Sequence, residues 1–308
     1  MIDKDRESNM NNGEMLIGWS EVSITPNKRV GLMGQFIERI SEYTETEVTA
    51  TSVAISRGEE AVVFCSCDLV GVTRELVSAV REKITARGGP DPDKVIINAT
   101  HTHTSLQYKN GLDTLSFSTG ILERYLPYEK TEKVTAEDVM GEEEAFDFLA
   151  ERIAVCIMRA WENRRSGYID LAFGRAAVGM CRRVCYSDGC ALMWGDTSQE
   201  NFVSLEGAND SGVELMYFHD TNGSLVGAAV NIACPAQVLE HRLFISSDYW
   251  GKVKRRLRKK YGKDFFVLAL CAPAGDQCPR DLIRWVAPES PISDPNISRE
   301  DRVKSFHV

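Results

Sequence analysis

Hydrophobic positions along the chain change repeatedly between strand-like and helix-like spacing. The segment 15–26 has the pattern of a strand that ends at a proline, and 46–70 has the pattern of two strands around a polar turn. The second of these strands is nearly all apolar, which is typical of a strand buried on both faces. The spacing then predicts a helix over 73–89 and another buried strand over 94–100.

This strand–helix–strand order predicts a parallel pair of strands with a right-handed crossover. The carboxyl ends of parallel strands share one edge of a sheet, and ligand sites in open α/β sheets gather there. Asp68 ends the first strand and His101 ends the second, so both are expected on one rim. Asp68 is therefore a candidate substrate-binding residue.

The rest of the chain continues the mixed pattern. Residues 105–135 lack clear periodicity and are predicted to form a long active-site loop. Asp-Gly and Asn-Gly pairs between alternating apolar runs indicate β-hairpins. The later elements predicted in this way are a helix over 145–165, a strand over 168–179, hairpins through Asp188-Gly189 and Asn222-Gly223, a basic helix over 248–262 with Asp248 as N-cap, and a buried strand over 264–272.

Together these elements predict an α/β domain with mixed β-sheets flanked by helices. The polar segment 1–14 is expected to be a disordered tail, and 15–286 to be the folded domain. Residues 287–308 hold three prolines and no core pattern, so they are interpreted as a tail or as the start of a further part.

Composition excludes several classes of function. The net charge of −9 argues against a nucleic-acid binder, because phosphate contacts need a positive field. No apolar run approaches the roughly 20 residues that span a bilayer. The polar start lacks the apolar core of a signal peptide, and the nine cysteines are odd in number, so reduced thiols in a cytoplasmic protein are expected.

The clearest chemical motif is the H-x-H of His101 and His103, which are two of the five histidines in the chain. Such a pair at the end of a strand is a common way to present imidazoles to a metal. Alternate residues of a strand face opposite sides, so one histidine would bind the metal while the other acts as a base. The alternative is that these threonine-flanked histidines only satisfy backbone groups.

A second group of candidates lies in the loop 273–279, which follows a buried strand. Asp276 and Cys278 are two residues apart, so both can face one cleft as catalytic groups. A cysteine thiolate is a strong nucleophile when its pKa is lowered. The competing interpretation is that Cys278 is a buried core cysteine.

The remaining candidates are two metal ligands and two arginines. Cys234 at a strand end and His241 in a loop are competent zinc ligands, although each is also explained as a core or a surface residue. Arg182 and Arg183 can clamp a carbonyl or an anion, or can lie in solvent.

These pieces resemble the amino-terminal catalytic domain of the neutral/alkaline (non-lysosomal) ceramidases, and bacterial homologues of that domain in particular. The resemblance extends over about residues 16–284. The segments NATHTHTS and PAGDQCP are its most specific parts. The other segments, in the same order as in that family, are IGWSEVSITP, FCSCDLVGV, CRRVCYSDG, VNIACPAQV and ISSDYWG.

The resemblance implies zinc-dependent hydrolysis of a linear amide, with a lipid-like amide as substrate. It implies that His101 is a zinc ligand, that His103 moves protons or contacts substrate, and that Arg182 is the active-site arginine. Cys278 falls where ceramidases carry a serine, and is predicted to act as a nucleophile or to orient water. Cys234 falls where ceramidases carry a histidine ligand, so either Cys234 or His241 is expected to share the Zn²⁺ with His101.

The chain also departs from the family. A glutamate and a tyrosine ligand of the family lie beyond the last shared motif, and the 29 residues after Pro279 hold no match for them. Two other interpretations therefore stay open. One is a non-catalytic binding protein with an incomplete metal site, and the other is a metal-free cysteine hydrolase that uses Cys278.

Overall fold

The computed structural model describes residues 14–35, 38–109 and 137–283, in three helices and a set of strands. The helices are α1 (Arg74–Ala86), α2 (Glu142–Glu162) and α3 (Asp248–Tyr261), and a short 3₁₀ helix spans Pro92–Lys94. The strands are β1 (Met15–Ser23), β2 (Arg29–Val30), β3 (Tyr43–Thr44), β4 (Thr49–Arg57), β5 (Glu60–Cys67), β6 (Val95–Ala99), β7 (Val139–Met140), β8 (Arg165–Arg175), β9 (Met180–Cys181), β10 (Arg183–Tyr186), β11 (Ala191–Met193), β12 (Phe202–Leu205), β13 (Gly212–Asp220), β14 (Leu225–Ile232), β15 (Phe244–Ile245), β16 (Phe266–Cys271) and β17 (Gln277–Cys278).

Eight of these strands form one mixed sheet in the order β16-β14-β13-β8-β1-β4-β5-β6. The pairs β5–β6 and β14–β16 are parallel, and the other pairs are antiparallel. Strands β1 and β8 pair only through Leu16↔Ser166 and Ile17↔Arg165. The sheet folds over at this short junction, so its two halves face each other.

The two halves enclose one core, in which Trp19 and Val53 of one half meet Phe218 and Leu268 of the other. Helices α1 and α2 cover the outer face of the β1–β4–β5 half. Helix α3 packs against β14 and β16 through Trp250 and neighbouring apolar residues. The molecule is thus layered α/β/β/α, and the predicted α/β class with mixed sheets and flanking helices is confirmed.

The structure confirms the predicted helices and hairpins. These elements were predictable because the sequence patterns that indicate them each involve a few neighbouring residues. Helix α1 buries Leu76, Val80 and Ile84, and the Thr73 hydroxyl accepts a hydrogen bond from the Leu76 N–H at its start. The two hairpins turn at Gly189 and Gly223, with φ of 85° and 81°. These positive angles suit glycine, which has no Cβ to clash with the backbone.

Two expectations need adjustment, and a third is not tested. The strand over 94–100 is the edge strand β6, and Ile96 is 49% exposed rather than buried on both faces. Helix α3 has Ser247 as its N-cap, and Asp248 is its first residue. The predicted loop 105–135 falls mostly outside the described residues, as do the segments 1–13 and 284–308. Within the described part, no helix is long and apolar enough to cross a membrane.

Candidate active site

The histidine pair lies on the loop that follows β6, at the carboxyl edge of the sheet. The N–H groups of Thr100 and Thr102 donate to the carbonyls of Cys67 and Leu69, which ties this loop to the end of β5. His101 takes the left-handed conformation with φ of 61°, which is uncommon for a residue other than glycine. A backbone held in that region is often found at functional sites.

The ring of His101 is oriented by one contact. Its Nδ1 lies 2.7 Å from the carbonyl oxygen of Val70 and donates a hydrogen bond to it. This contact fixes the tautomer and leaves Nε2 as a lone-pair donor, the arrangement that metal-bound histidines adopt. Burial, and after it the nearby Arg182, lower the pKa of His101, so the imidazole is neutral at neutral pH.

His103 sits directly beside His101, with ring centroids 4.7 Å apart and planes at 66°. It is 8% exposed, and neither ring nitrogen has a hydrogen-bond partner within the described chain. Its pKa is well below the usual value because of burial, His101 and the cations Arg39 and Arg182. A neutral, buried imidazole without a hydrogen bond is a costly arrangement unless a ligand satisfies it.

The backbone around His103 is held from two sides. Its N–H donates to the carbonyl of Ala236, on the loop after β14, and its own carbonyl accepts from Arg39 Nη2 at 2.8 Å. Gly34 packs against the ring so closely that a Cβ there would lie 2.6 Å from His103 Cγ. Gly34 also has φ of 107°, so both space and backbone require glycine here.

A buried ion pair completes the wall behind His103. Glu240 Oε1 lies 3.0 Å from Arg280 Nη2, and Glu240 Oε2 lies 3.5 Å from His103 Nδ1. The side chains of all three are 10% exposed or less. The carboxylate does not turn His103 into an imidazolium, because burial and the surrounding cations outweigh it.

Arg182 lies near both His101 and His103. Its side chain donates to the carbonyl of Gly275, at 2.8 Å from Nη2, and its N–H donates to the carbonyl of Asp276. Trp194 is flanked by two guanidinium groups, those of Arg182 at 5.8 Å and Arg280 at 5.1 Å from the ring centroid. Asp276 therefore contributes its backbone to the site, and its own side chain is exposed.

Cys278 lies in β17, next to this cluster, and is fully buried. Its Sγ donates to the carbonyl of Arg280 at 3.2 Å. Burial raises the pKa of the thiol to about 11, although Arg280 and Arg182 act in the opposite direction. Such a thiol is protonated at neutral pH and is a poor nucleophile.

Asp68 lies beneath the histidine loop and is 1% exposed. Its Oδ2 accepts from the Thr49 N–H at 2.9 Å, and its Oδ1 accepts from the Thr100 hydroxyl at 3.3 Å. Lys254 Nζ lies 3.6 Å from the same carboxylate. Both carboxylate oxygens of Asp68 therefore contact protein groups, and the bond to Thr100 ties Asp68 to the His101 loop.

The two candidate partners of His101 in metal binding lie in different surroundings. Cys234 is fully buried, its Sγ faces the carbonyls of Val178 and Pro235, and burial raises its pKa strongly. The side chain of His241 is 64% exposed, and its Nε2 lies 3.6 Å from Glu240 Oε1. Arg183 is also at the surface, in an ion pair with Glu206.

These donors fit a zinc ion only in part. His101 has the orientation of a ligand and His103 has unsatisfied nitrogens, but no group of three or more metal-ligating side chains occurs among the described residues. A catalytic zinc site uses three protein ligands and an open position. The described part of the chain therefore offers one preformed ligand position and not a full set.

Four residues of the site were missed in the sequence, namely Arg39, Glu240, Arg280 and Gly34. Arg280 carried a usable signal, because it lies two residues after Cys278 on the same loop. Arg39 and Glu240 carried none, because charged residues in loops are usually in solvent.

Comparison with known proteins gives the fold a name. No protein-family model and no curated protein matches the chain. The structure is similar to neutral ceramidase from Pseudomonas aeruginosa, with a TM-score of 0.68 and 17% identity over 96% of this chain and 43% of that one. A ceramidase complexed with C2 gives a TM-score of 0.63 and 17% identity over 87% of this chain and 39% of that one.

The fold is therefore ceramidase-like, and the chain spans less than half the length of these two solved structures. At this level of identity the likeness concerns the fold alone. The chemistry has to be argued from the side chains at the histidine rim.

Proposed function

We propose that the protein hydrolyses a linear amide, or alternatively an ester, at the rim formed by His101, His103 and Arg182. One observation carries the proposal: two adjacent neutral imidazoles are held on a strained loop, and neither ring nitrogen of His103 makes a hydrogen bond to a described residue. Buried polar atoms without partners point to a ligand that supplies them.

We further propose Zn²⁺ as the cofactor, with His101 Nε2 as one ligand. A zinc ion supplies polarisation of the scissile carbonyl and a water of lowered pKa. Cys234 is the weaker second ligand, because its buried thiol resists ionisation and faces backbone carbonyls. His241 is the stronger candidate, since its exposed ring can reorient next to Glu240.

The side chains at the rim have distinct tasks in this proposal. Arg182, anchored on Gly275, donates to the oxygen of the bound acyl group. His103 holds or delivers a proton at Nε2, because its Nδ1 faces Glu240. Arg39 and the Glu240–Arg280 pair keep the ring of His103 in place and exclude water behind it.

The protonated thiol of Cys278 argues against the metal-free cysteine hydrolase. A covalent nucleophile needs a lowered pKa, and burial moves the pKa of this thiol in the other direction. Cys278 instead fits a role in orienting water or substrate through its contact with the Arg280 carbonyl.

For the substrate, we infer a lipid-like N-acyl amide, supported by the ceramidase fold. Trp194 and the two guanidinium groups around it offer an apolar surface beside a site for an acyl oxygen. Such a surface suits an acyl chain that ends in an amide.

The experiment is a hydrolysis assay of the purified chain with matched N-dodecanoyl amides and esters, with added zinc and with a chelator. His103→Ala should lower kcat by about 10²–10⁴-fold, the usual contribution of a general acid–base group. Arg182→Gln should lower the rate, and Arg183→Gln, at the neighbouring surface ion pair, should not. Absence of hydrolysis of every amide and ester tested, in the presence of zinc, would contradict the proposal.

A further inference from the structure

A cleft of about 350 Å³ opens at the end of the sandwich opposite the histidine rim. Val226 and Phe266 line it and lie at the amino ends of β14 and β16. The carboxyl ends of the same two strands lead toward Cys234 and Cys278, so the cleft and the rim are separated by the length of the sheet. Its volume lies in the lower part of the range of roughly 300–1,000 Å³ for small-molecule sites.

The floor of the cleft is aromatic and carries one unsatisfied donor. Trp19 is 6% exposed and stacks on Phe266, with ring centroids 5.5 Å apart and planes at 10°. Trp19 Nε1 is buried, and no described residue accepts a hydrogen bond from it. An indole N–H can only donate, so it needs an acceptor atom.

The mouth of the cleft carries a guanidinium group, that of Arg165. Arg165 donates from Nη1 to the carbonyls of Glu162 and Arg164, which tethers the guanidinium, and its Nε and Nη2 make no hydrogen bond within the described chain. The ring of His219, also at the mouth, lies with Nε2 at 3.2 Å from Asp170.

Two carboxylates lie near this guanidinium, and each contacts other groups of the protein. Asp220 Oδ1 accepts from the N–H groups of Asn222 and Ser224, so this carboxylate serves the hairpin turn. Asp170 faces the imidazole of His219. Arg165 is therefore the charged group at the mouth that keeps N–H donors without a partner among the described residues.

We propose that this cleft binds a small carboxylic acid with a flat apolar body, such as an aryl-alkanoate. The ring packs against Trp19 and Phe266, one carboxylate oxygen pairs with Arg165, and an acceptor oxygen satisfies Trp19 Nε1. The site is independent of the histidine rim, and nothing in the proposed hydrolysis requires it.

Calorimetric titration with 3-phenylpropanoate tests the proposal, with the neutral 3-phenylpropanamide as the comparison. The acid should bind saturably, and the amide should bind about tenfold weaker or worse, because a charge-assisted hydrogen bond is lost. Arg165→Gln should weaken binding of the acid by a similar factor. Trp19→Phe, which keeps the ring and removes the N–H, should weaken it by about fivefold.

Arg175→Gln is the matched control, since Arg175 lies on the same strand, is exposed and contacts Ser211 away from the cleft. It should bind the acid like the parent protein. Arg165→Gln should also keep the rate of amide hydrolysis, so failure of this site is distinct from failure of the histidine rim. No heat with millimolar acid, equal binding of acid and amide, or unchanged binding in Arg165→Gln would overturn the proposal.

Discussion

Glu240 and Arg280 form an ion pair of 3.0 Å in which both side chains are at most 7% exposed, directly beside His103. Removal of one partner from a buried pair costs about 3–5 kcal/mol, because the other charge stays in a poorly solvated place. Arg280→Met is therefore expected to lower the free energy of unfolding by about that amount. Denaturant unfolding measures it.

The control for this variant is Arg183→Met. Arg183 and Glu206 also form an ion pair, but their side chains are 42% and 45% exposed. Exposed pairs contribute about 0–1 kcal/mol, so this variant should unfold almost like the parent. Equal losses in the two variants would contradict the assignment of a buried charge at Arg280.

Gly34→Ala should displace the ring of His103. The added Cβ would lie 2.6 Å from Cγ of that ring, closer than real contacts allow. Amide hydrolysis should fall by more than tenfold, because a displacement of about 1 Å can cost 10²-fold. Gly58→Ala is the matched control, since Gly58 has φ of 59° and no atom within 4 Å of the added Cβ. It should carry the backbone strain without the loss of activity.

Cys278 should be slow to alkylate. Burial raises its pKa to about 11, so little thiolate exists at pH 7.5. Mass spectrometry after a short iodoacetamide pulse should show the exposed Cys190 modified and Cys278 unmodified. Cys278→Ser should retain hydrolysis, because the proposed mechanism needs no thiolate there. Preferential labelling of Cys278 at neutral pH would contradict this prediction and favour the alternative that the protein is a metal-free cysteine hydrolase.

Asp248 should make stability depend on pH. Burial raises its pKa from the ordinary 3.8 to about 6, although N–H groups of Leu239 and Tyr249 oppose the change. The folded state therefore binds the proton more tightly than the unfolded chain. This contribution is fully present below pH 3.8 and is lost as the pH rises through about 6.

Its size is about 3 kcal/mol, from roughly two pKa units. Asp248→Asn removes the titration, so the difference in unfolding free energy between the variant and the parent should change over that pH window and be flat above it. Denaturant titrations between pH 4 and 7 measure this difference. A difference that is constant over the whole range would show that Asp248 is not perturbed.

Much of the fold was predictable because its signals are local. The spacing of Leu76, Val80 and Ile84 and the turns at Gly189 and Gly223 each involve a few consecutive residues. The shared rim followed from the parallel pairing of β5 and β6, which places the ends of both strands on one edge.

The surroundings of His103 were not predictable in the same way. Arg39 reaches the carbonyl of Glu240 across 201 residues of sequence, and no local pattern encodes such a contact. The burial of Asp68 was also not predictable, because the cation beside its carboxylate is Lys254 of helix α3, which is distant in the sequence. The residues that support the site through long-range charged contacts were therefore not predictable from the sequence, whereas several residues that line it were.

The metal content of purified protein tests directly whether the chemistry at the rim begins at His101. Zinc should be present after purification, or bind on addition, in the parent protein and in His219→Ala, whose histidine lies at the opposite end of the sandwich. His101→Ala should lose that zinc, because the ring oriented by the Val70 carbonyl is the ligand that we propose. Zinc retained in His101→Ala at the level of the parent would contradict the proposed site.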